Sequence, residues 1–159
     1  MSVRSLRDKS SLTPLDYAYG LLARRAYSQH ELTGKLLAKG FTAEAVIRTV
    51  ARLKAQGYLD DTRLAADQAE RLRERGFGPE GIKAKLVQKG FSSDVIEQAV
   101  EVSEESQERE SARRLLASRF SADALKQSQS YARAFRLLLR RGYSQEVIEA
   151  LLGSMPDDT

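Results

Sequence analysis

The chain has 159 residues, of which 42% are hydrophobic and 30% charged, a balance typical of globular domains that fold in water. It has no cysteine, which excludes disulfides, thiolate metal sites and cysteine nucleophiles. The formal net charge of +4 permits contact with nucleic acid or with an acidic protein surface, but it requires neither.

The first third of the chain is predicted to form a short disordered tail, residues 1–12, followed by three helices. The tail lacks the apolar core of a secretory signal, and no apolar run is long enough to span a membrane, so we expect a cytoplasmic protein. Thr13 with Asp16, and Ser28 with Glu31, supply the hydroxyl cap and the first-turn acid of the first two helices. The three helices are predicted near 14–26, 29–39 and 43–56.

A repeated motif organises the rest of the chain. Residues 31–50 recur as residues 81–100, and a more divergent copy begins at residue 138. In each copy a glycine ends one helix, an aromatic residue follows it, and a serine or threonine caps the next helix. The glycine–aromatic pairs are Gly40-Phe41, Gly90-Phe91 and Gly142-Tyr143. Further helices are predicted near 61–75, 79–89, 93–106, 108–119, 124–141 and 145–153.

These patterns predict an all-α fold made of three tandem three-helix repeats. Repeat 1 is expected at 13–59, repeat 2 at 60–106 and repeat 3 at 107–154, with a C-terminal tail at 155–159. Because so small a unit buries its own apolar face poorly, we expect the repeats to stack into an elongated, curved molecule.

The sequence contains no recognisable catalytic motif. His30 is the only histidine and has no thiol or second imidazole to join it, so neither a metal nor another cofactor is expected. Asp60 is accounted for as a helix cap, and the glycine-rich stretch 76–81 follows a helix, whereas a phosphate-binding loop follows a strand. We therefore predict a binding protein without enzymatic activity.

Pairs of basic residues spaced four apart project from single helix faces. The pairs are Lys35/Lys39, Arg71/Arg75, Lys85/Lys89 and Arg136/Arg140. A solvated helix face explains most such pairs, but stacked repeats would align the matched pairs of repeats 1 and 2 into a basic track. The acidic stretch 101–110 is either a solvated junction between repeats 2 and 3 or a hinge between them.

Several of these motifs resemble the RecX regulatory proteins of bacteria. The resemblance lies in Gly57-Tyr58-Leu59-Asp60-Asp61-Thr62-Arg63, in Arg75-Gly76-Phe77-Gly78-Pro79, in Ile82, Leu86 and Lys89-Gly90, and in Arg140-Arg141-Gly142-Tyr143. It covers nearly the whole chain, from about residue 15 to residue 152. Leu64 and Phe77 stand where the family usually has phenylalanine and tyrosine, and both remain apolar.

The resemblance implies a modulator that binds in the helical groove of the RecA filament on single-stranded DNA. There it would restrain filament growth, strand exchange, ATP hydrolysis and the coprotease activity that triggers the SOS response. We expect a monomer that contacts the filament, with direct DNA contact in addition in some members of the family. The candidate contacts are Arg24, Arg25, Lys35, Lys39, Arg63, Arg71, Arg75, Lys85, Lys89, Arg136, Arg140 and Arg141. The alternative is a stand-alone nucleic-acid-binding protein that uses the same cations on phosphates.

Overall fold

The computed structural model describes residues 12–101 and 105–156, and within them the chain forms nine α-helices, one 3-10 helix and no strand. The α-helices are α1 Pro14–Leu22, α2 Gln29–Lys39, α3 Ala43–Ala55, α4 Asp61–Glu74, α5 Pro79–Gln88, α6 Ser93–Glu101, α7 Glu105–Arg119, α8 Ser128–Arg141 and α9 Gln145–Leu152. The predicted all-α repeat fold is confirmed. The predicted tails lie largely outside the described residues, as do residues 102–104 of the acidic stretch.

Helix boundaries differ from the prediction at three places. The helices expected near 93–106 and 108–119 are α6, Ser93–Glu101, and α7, which already begins at Glu105, so residues 105 and 106 belong to α7. The first helix ends at Leu22 because the chain must turn Tyr27 into the core and extend Ser28 (φ −72°, ψ 160°) to cap α2. The helix expected near 124–141 is divided into a 3-10 turn at Ala124–Lys126 and α8. Gln127 between them is extended, with ψ at 131°, and so interrupts the helical hydrogen bonds.

The glycine–aromatic pairs end their helices as predicted. Gly40, Gly90 and Gly142 have φ of 104°, 81° and 82°, a region where only glycine avoids a steric penalty. The amide of the following aromatic residue then donates to the carbonyl five residues earlier. These bonds are Phe41 to Leu36 at 3.3 Å, Phe91 to Leu86 at 3.3 Å and Tyr143 to Leu138 at 3.2 Å. Carbonyls left over at the helix ends are thereby satisfied.

Each repeat has a hydrophobic core of its own. The largest fully buried side chains include Leu32 and Leu36 in repeat 1, Ile82 and Leu86 in repeat 2, and Leu138 in repeat 3. The chain divides into two compact units, Met1–Asp60 and Asp61–Thr159. The first unit contains repeat 1 and the second contains repeats 2 and 3.

Inside the second unit, backbone groups join repeats 2 and 3 directly. The amide of Gly78 donates to the carbonyl of Arg141 at 2.8 Å, and the amide of Glu80 donates to the carbonyl of Gly142 at 3.1 Å. The start of α5 has no side-chain cap, and the end of α8 has spare carbonyls, so each helix end satisfies the other. A Cβ atom on Gly78 would lie 2.6 Å from the carbonyl of Gly142, so only glycine permits this approach.

Candidate partner-binding surface

Three cations surround one aromatic ring where repeats 2 and 3 meet. The ring centroid of Phe77 lies 4.5 Å from the guanidinium carbon of Arg141, 4.8 Å from Nζ of Lys85 and 5.9 Å from the guanidinium carbon of Arg75. We call these four residues the Phe77 cluster. The face of an aromatic ring attracts a cation by about 0.5–1 kcal/mol at exposed sites, which partly offsets the repulsion among the three charges.

Arg141 also has a structural function within this cluster. Its guanidinium donates to the backbone carbonyl of Arg75 at 2.7 Å, which ties the end of α8 to the end of α4. Its side chain is only partly exposed, and so is that of Lys85, whereas Arg75 is exposed. Of the three predicted contacts in the cluster, Arg75 is therefore the most accessible to a partner.

A second concentration of cations lies in repeat 3, in a groove of about 460 Å³ between the end of α7 and the outer side of α8. We call it the repeat-3 groove. It is lined by Arg119, Phe120, Arg133, Arg136, Leu137, Leu139 and Arg140. All four arginines are exposed, and none of them forms an ion pair within the residues that the structure describes.

Sequence reasoning found only half of the cations of this groove. Arg136 and Arg140 were predicted, and Arg133 was missed although it lies three residues before Arg136 and so on the same helix face. Arg119 comes from α7, and no spacing in the sequence relates it to α8. Only the packing of α7 and α8 brings its guanidinium to the groove.

The predicted contacts of repeat 1 are all exposed, but two of them have local interactions. The guanidinium carbon of Arg25 lies 3.7 Å from the ring centroid of Tyr27, and Arg25 pairs with Glu31 at 3.4 Å. Nζ of Lys39 lies 5.4 Å from the ring centroid of Tyr17. Arg24 and Lys35 are exposed.

The remaining predicted contacts are exposed residues of repeat 2. Arg63 and Arg71 lie on α4, and Lys89 follows the end of α5. The structure brings none of these three into the Phe77 cluster or the repeat-3 groove. The basic track expected from aligned pairs of repeats 1 and 2 stays a prediction.

Exposed aliphatic side chains recur at one position of all three repeats. Leu37, Val87 and Leu139 directly follow the buried Leu36, Leu86 and Leu138, and they are 45%, 62% and 56% exposed. Basic residues lie within three positions of each of them in the sequence: Lys35 and Lys39, Lys85 and Lys89, Arg136 and Arg140. The four lysines are two residues away, so they project from a different side of the helix than Leu37 and Val87. We call this position the exposed aliphatic position. Sequence reasoning missed it, although the alignment of the repeats already placed the three residues in register.

The exposed groups described above are cations and aliphatic side chains. Among the described residues, no cluster of three or more histidine or acidic side chains is arranged to hold a metal ion. No helix in the described part of the chain is long and apolar enough to cross a membrane. The described residues define a class, the helical-repeat proteins with cations and aliphatic side chains exposed on their helices.

Comparison with known proteins narrows this class to one family. Residues 15–53 match the family model described as RecX, first three-helix domain, and residues 60–100 match RecX, second three-helix domain. The regulatory protein RecX of Stenotrophomonas maltophilia strain K279a is 37% identical over 146 residues, which cover 92% of this chain and 89% of that protein. The regulatory protein RecX of Xanthomonas citri is 38% identical over 138 residues, which cover 87% of this chain and 85% of that protein. The chain belongs to the RecX family.

Solved structures share the fold. The crystal structure of RecX from Lactobacillus salivarius has a TM-score of 0.74 and 18% sequence identity, over 87% of this chain and 92% of that one. A second crystal structure, of a regulatory protein RecX, has a TM-score of 0.76 and 19% sequence identity, over 89% of this chain and 70% of that one. The family models and the curated relatives confirm the resemblance to RecX in the sequence motifs at the level of the family, and the solved structures confirm the fold.

Proposed function

We propose that this chain is a regulatory protein of the cytoplasm that acts on the RecA recombinase. It binds, as a monomer, the RecA filament on single-stranded DNA and inhibits recombination, ATP hydrolysis and the coprotease activity that triggers the SOS response. It has no enzymatic activity of its own. Membership of the RecX family supports the regulatory class, and the exposed aliphatic position is the observation that carries the choice of a protein partner.

The exposed aliphatic position favours a protein partner over bare nucleic acid. Phosphates attract the flanking cations, but they gain nothing from Leu37, Val87 or Leu139. A protein surface can bury these side chains and also pair with cations on other faces of the same repeats, as the apolar centre and polar rim of an interface do. Aliphatic and basic residues together therefore indicate a partner that is both apolar and acidic.

Recurrence in three repeats also suits a filament. A partner that repeats the same subunit offers the same contact many times, and linked contacts strengthen one another without any new chemistry. A single globular partner offers no such series of equivalent contacts. The repeated position thus supports a polymeric protein partner, which a recombinase filament is.

The experiment replaces the three exposed aliphatic residues by serine (Leu37→Ser, Val87→Ser, Leu139→Ser) and measures RecA ATPase activity on single-stranded DNA. We expect the triple variant to need about tenfold more protein for half-inhibition, because each site loses its apolar contact. Ile47→Ser is the matched control, since Ile47 is 68% exposed but its counterparts in the other repeats are Glu97 and Glu149. Adding protein before or after filament assembly separates blocked growth from disassembly.

The alternative is a stand-alone nucleic-acid-binding protein. The Phe77 cluster supports it, because three cationic groups lie 4.5–5.9 Å from one ring centroid. This alternative predicts tight binding to bare single-stranded DNA that weakens steeply with salt. It also predicts that the three serine substitutions leave DNA binding unchanged. Unaltered RecA inhibition by the triple variant would contradict the proposed protein contact.

A further inference from the structure

The four arginines of the repeat-3 groove are an uncompensated group of charges. No acidic side chain lines the groove in the described part of the chain. Arg119 is the last residue of α7 and Arg140 lies in the last turn of α8, where the negative end of the helix dipole favours a cation. The helix dipoles therefore favour Arg119 and Arg140, water solvates the exposed Arg133 and Arg136, and all four charges remain available for an anionic ligand.

The base of the groove is apolar. Phe120 and Leu137 pack against the core of repeat 3 with part of their surface exposed, and Leu139 stands at the edge with 56% exposure. An entirely polar ligand would leave these apolar side chains exposed to water. A ligand with one aliphatic or aromatic side chain would bury them and gain about 25 cal/mol per Å².

The size of the groove limits what can enter. A volume of about 460 Å³ is in the range of sites that hold one or two side chains or a small molecule. The guanidinium groups at its edge form paired, parallel hydrogen bonds with carboxylates. Charge, apolar base and size together describe a short acidic peptide segment with an apolar anchor residue.

A nucleic-acid strand fits these features less well. Proteins that hold single strands stack bases on exposed aromatic faces. Among the described residues that line the groove, Phe120 is the only aromatic one, and it is partly buried against the core of repeat 3. The other two apolar lining residues are leucines, which offer no stacking face.

We propose that the repeat-3 groove is a binding site for an acidic segment of a partner protein in which carboxylates flank an apolar side chain. The apolar side chain sits against Phe120, Leu137 and Leu139, and the carboxylates pair with the arginines. The inference rests on the groove alone. It therefore holds whether or not the partner is a recombinase.

The test measures the fluorescence anisotropy of a labelled peptide in which glutamates flank a central leucine, titrated with the full chain. We expect saturable binding that weakens about tenfold or more in the double variant Arg133→Glu, Arg136→Glu, because each reversal replaces attraction by repulsion. The matched control is Arg113→Glu with Lys126→Glu, which makes the same charge change outside the groove and in the same repeat. Circular dichroism verifies that both variants keep their helices.

Four outcomes would each overturn the proposal. Equal binding of a peptide with serine in place of leucine would reduce the site to general charge attraction. Unchanged peptide affinity in the Arg133→Glu, Arg136→Glu variant, or no peptide binding to the wild-type chain, would remove the site. Tighter binding of a labelled oligothymidine of equal charge, lost in the same variant, would make the groove a nucleic-acid site. RecA inhibition is not a readout here, so failure of the peptide test leaves the proposed function standing.

Discussion

Tyr143 is the residue at which three helices of the second unit meet. It is 3% exposed, and its hydroxyl lies 2.9 Å from Oγ of Ser111 on α7. Ser111 in turn donates to the carbonyl of Arg73 on α4 at 3.4 Å. This chain of hydrogen bonds satisfies two buried hydroxyls and runs from the start of α9 through α7 to α4. Burial raises the pKa of Tyr143 above its ordinary value of 10.0, so the hydroxyl keeps its proton.

Removal of this hydroxyl should destabilise the protein. We expect Tyr143→Phe to lower the free energy of unfolding by about 1 kcal/mol at neutral pH, since Ser111 loses a buried partner. Tyr131→Phe is the control, because the hydroxyl of Tyr131 makes an exposed bond to the carbonyl of Gly153 at 2.9 Å and should matter less. Urea unfolding followed by circular dichroism measures both.

The difference between wild type and Tyr143→Phe should also depend on pH. Because the pKa of Tyr143 is raised in the folded state, the unfolded chain loses this proton first as the pH rises. The stability that the buried hydroxyl contributes is therefore fully present below about pH 10 and declines above it. A constant difference between the two proteins on both sides of pH 10 would contradict this assignment.

At the scale of elements, the start of α5 lies against the end of α8 because Gly78 and Gly81 have no side chains. A Cβ atom on Gly81 would press against the carbonyl of Arg141, and one on Gly78 would meet the backbone of Gly142 and Tyr143. The amides of Gly78 and Glu80 at the start of α5 reach the carbonyls at the end of α8 only because these side chains are missing. The junction of repeats 2 and 3 is therefore fixed by backbone geometry as well as by the Phe77 cluster.

Gly81→Ala tests this junction. Alanine usually stabilises a helix relative to glycine, but here we expect the free energy of unfolding to fall by about 1–3 kcal/mol because the methyl group forces α5 away from α8. Gly34→Ala is the matched control. Gly34 lies within α2, and a Cβ atom there would meet nothing within 4 Å, so this substitution should stabilise the protein by about 0.5–1 kcal/mol. Destabilisation of equal size in both variants would rule out the close contact as the cause.

At the scale of the whole molecule, a modest net charge of +4 is concentrated at particular surfaces. The Phe77 cluster and the repeat-3 groove hold six arginines and one lysine between them. Acidic residues elsewhere in the chain keep the total low. Regional charge therefore describes the potential for partner binding better than the net value does.

Charge reversal in repeat 2 tests the electrostatic part of the proposed function. We expect Lys85→Glu with Lys89→Glu to weaken inhibition of RecA ATPase about tenfold while helical content is retained, because both substitutions replace a cation by an anion on the repeat that exposes Val87. Arg52→Glu with Lys54→Glu makes the same charge change on exposed residues of α3 and should leave inhibition nearly unchanged. Full inhibition by the Lys85, Lys89 variant would remove these residues from the contact surface.

Most helix boundaries could be predicted from helix-capping rules, because the start and the end of a helix depend on residues only a few positions away. Thr13 and Ser28 form their capping boxes, and Gly40, Gly90 and Gly142 adopt positive φ, as their sequence neighbours require. The break at Gln127 was missed because no proline or glycine marks it. Arg141 was predicted as a partner contact, and its bond to the Arg75 carbonyl joins residues 66 positions apart in the sequence.

The sequence by itself determined the helical repeats, because a glycine, an aromatic residue and a hydroxyl at fixed spacing act through hydrogen bonds within one turn. It also determined which side chains carry charge. Only the tertiary structure decided which charges become neighbours. Arg119 joins Arg136 because α7 and α8 contribute to the same hydrophobic core, and Arg75 meets Arg141 because glycines let α5 approach the end of α8 closely. Such contacts depend on the distances between segments that are far apart in the sequence. No local sequence rule specifies these distances.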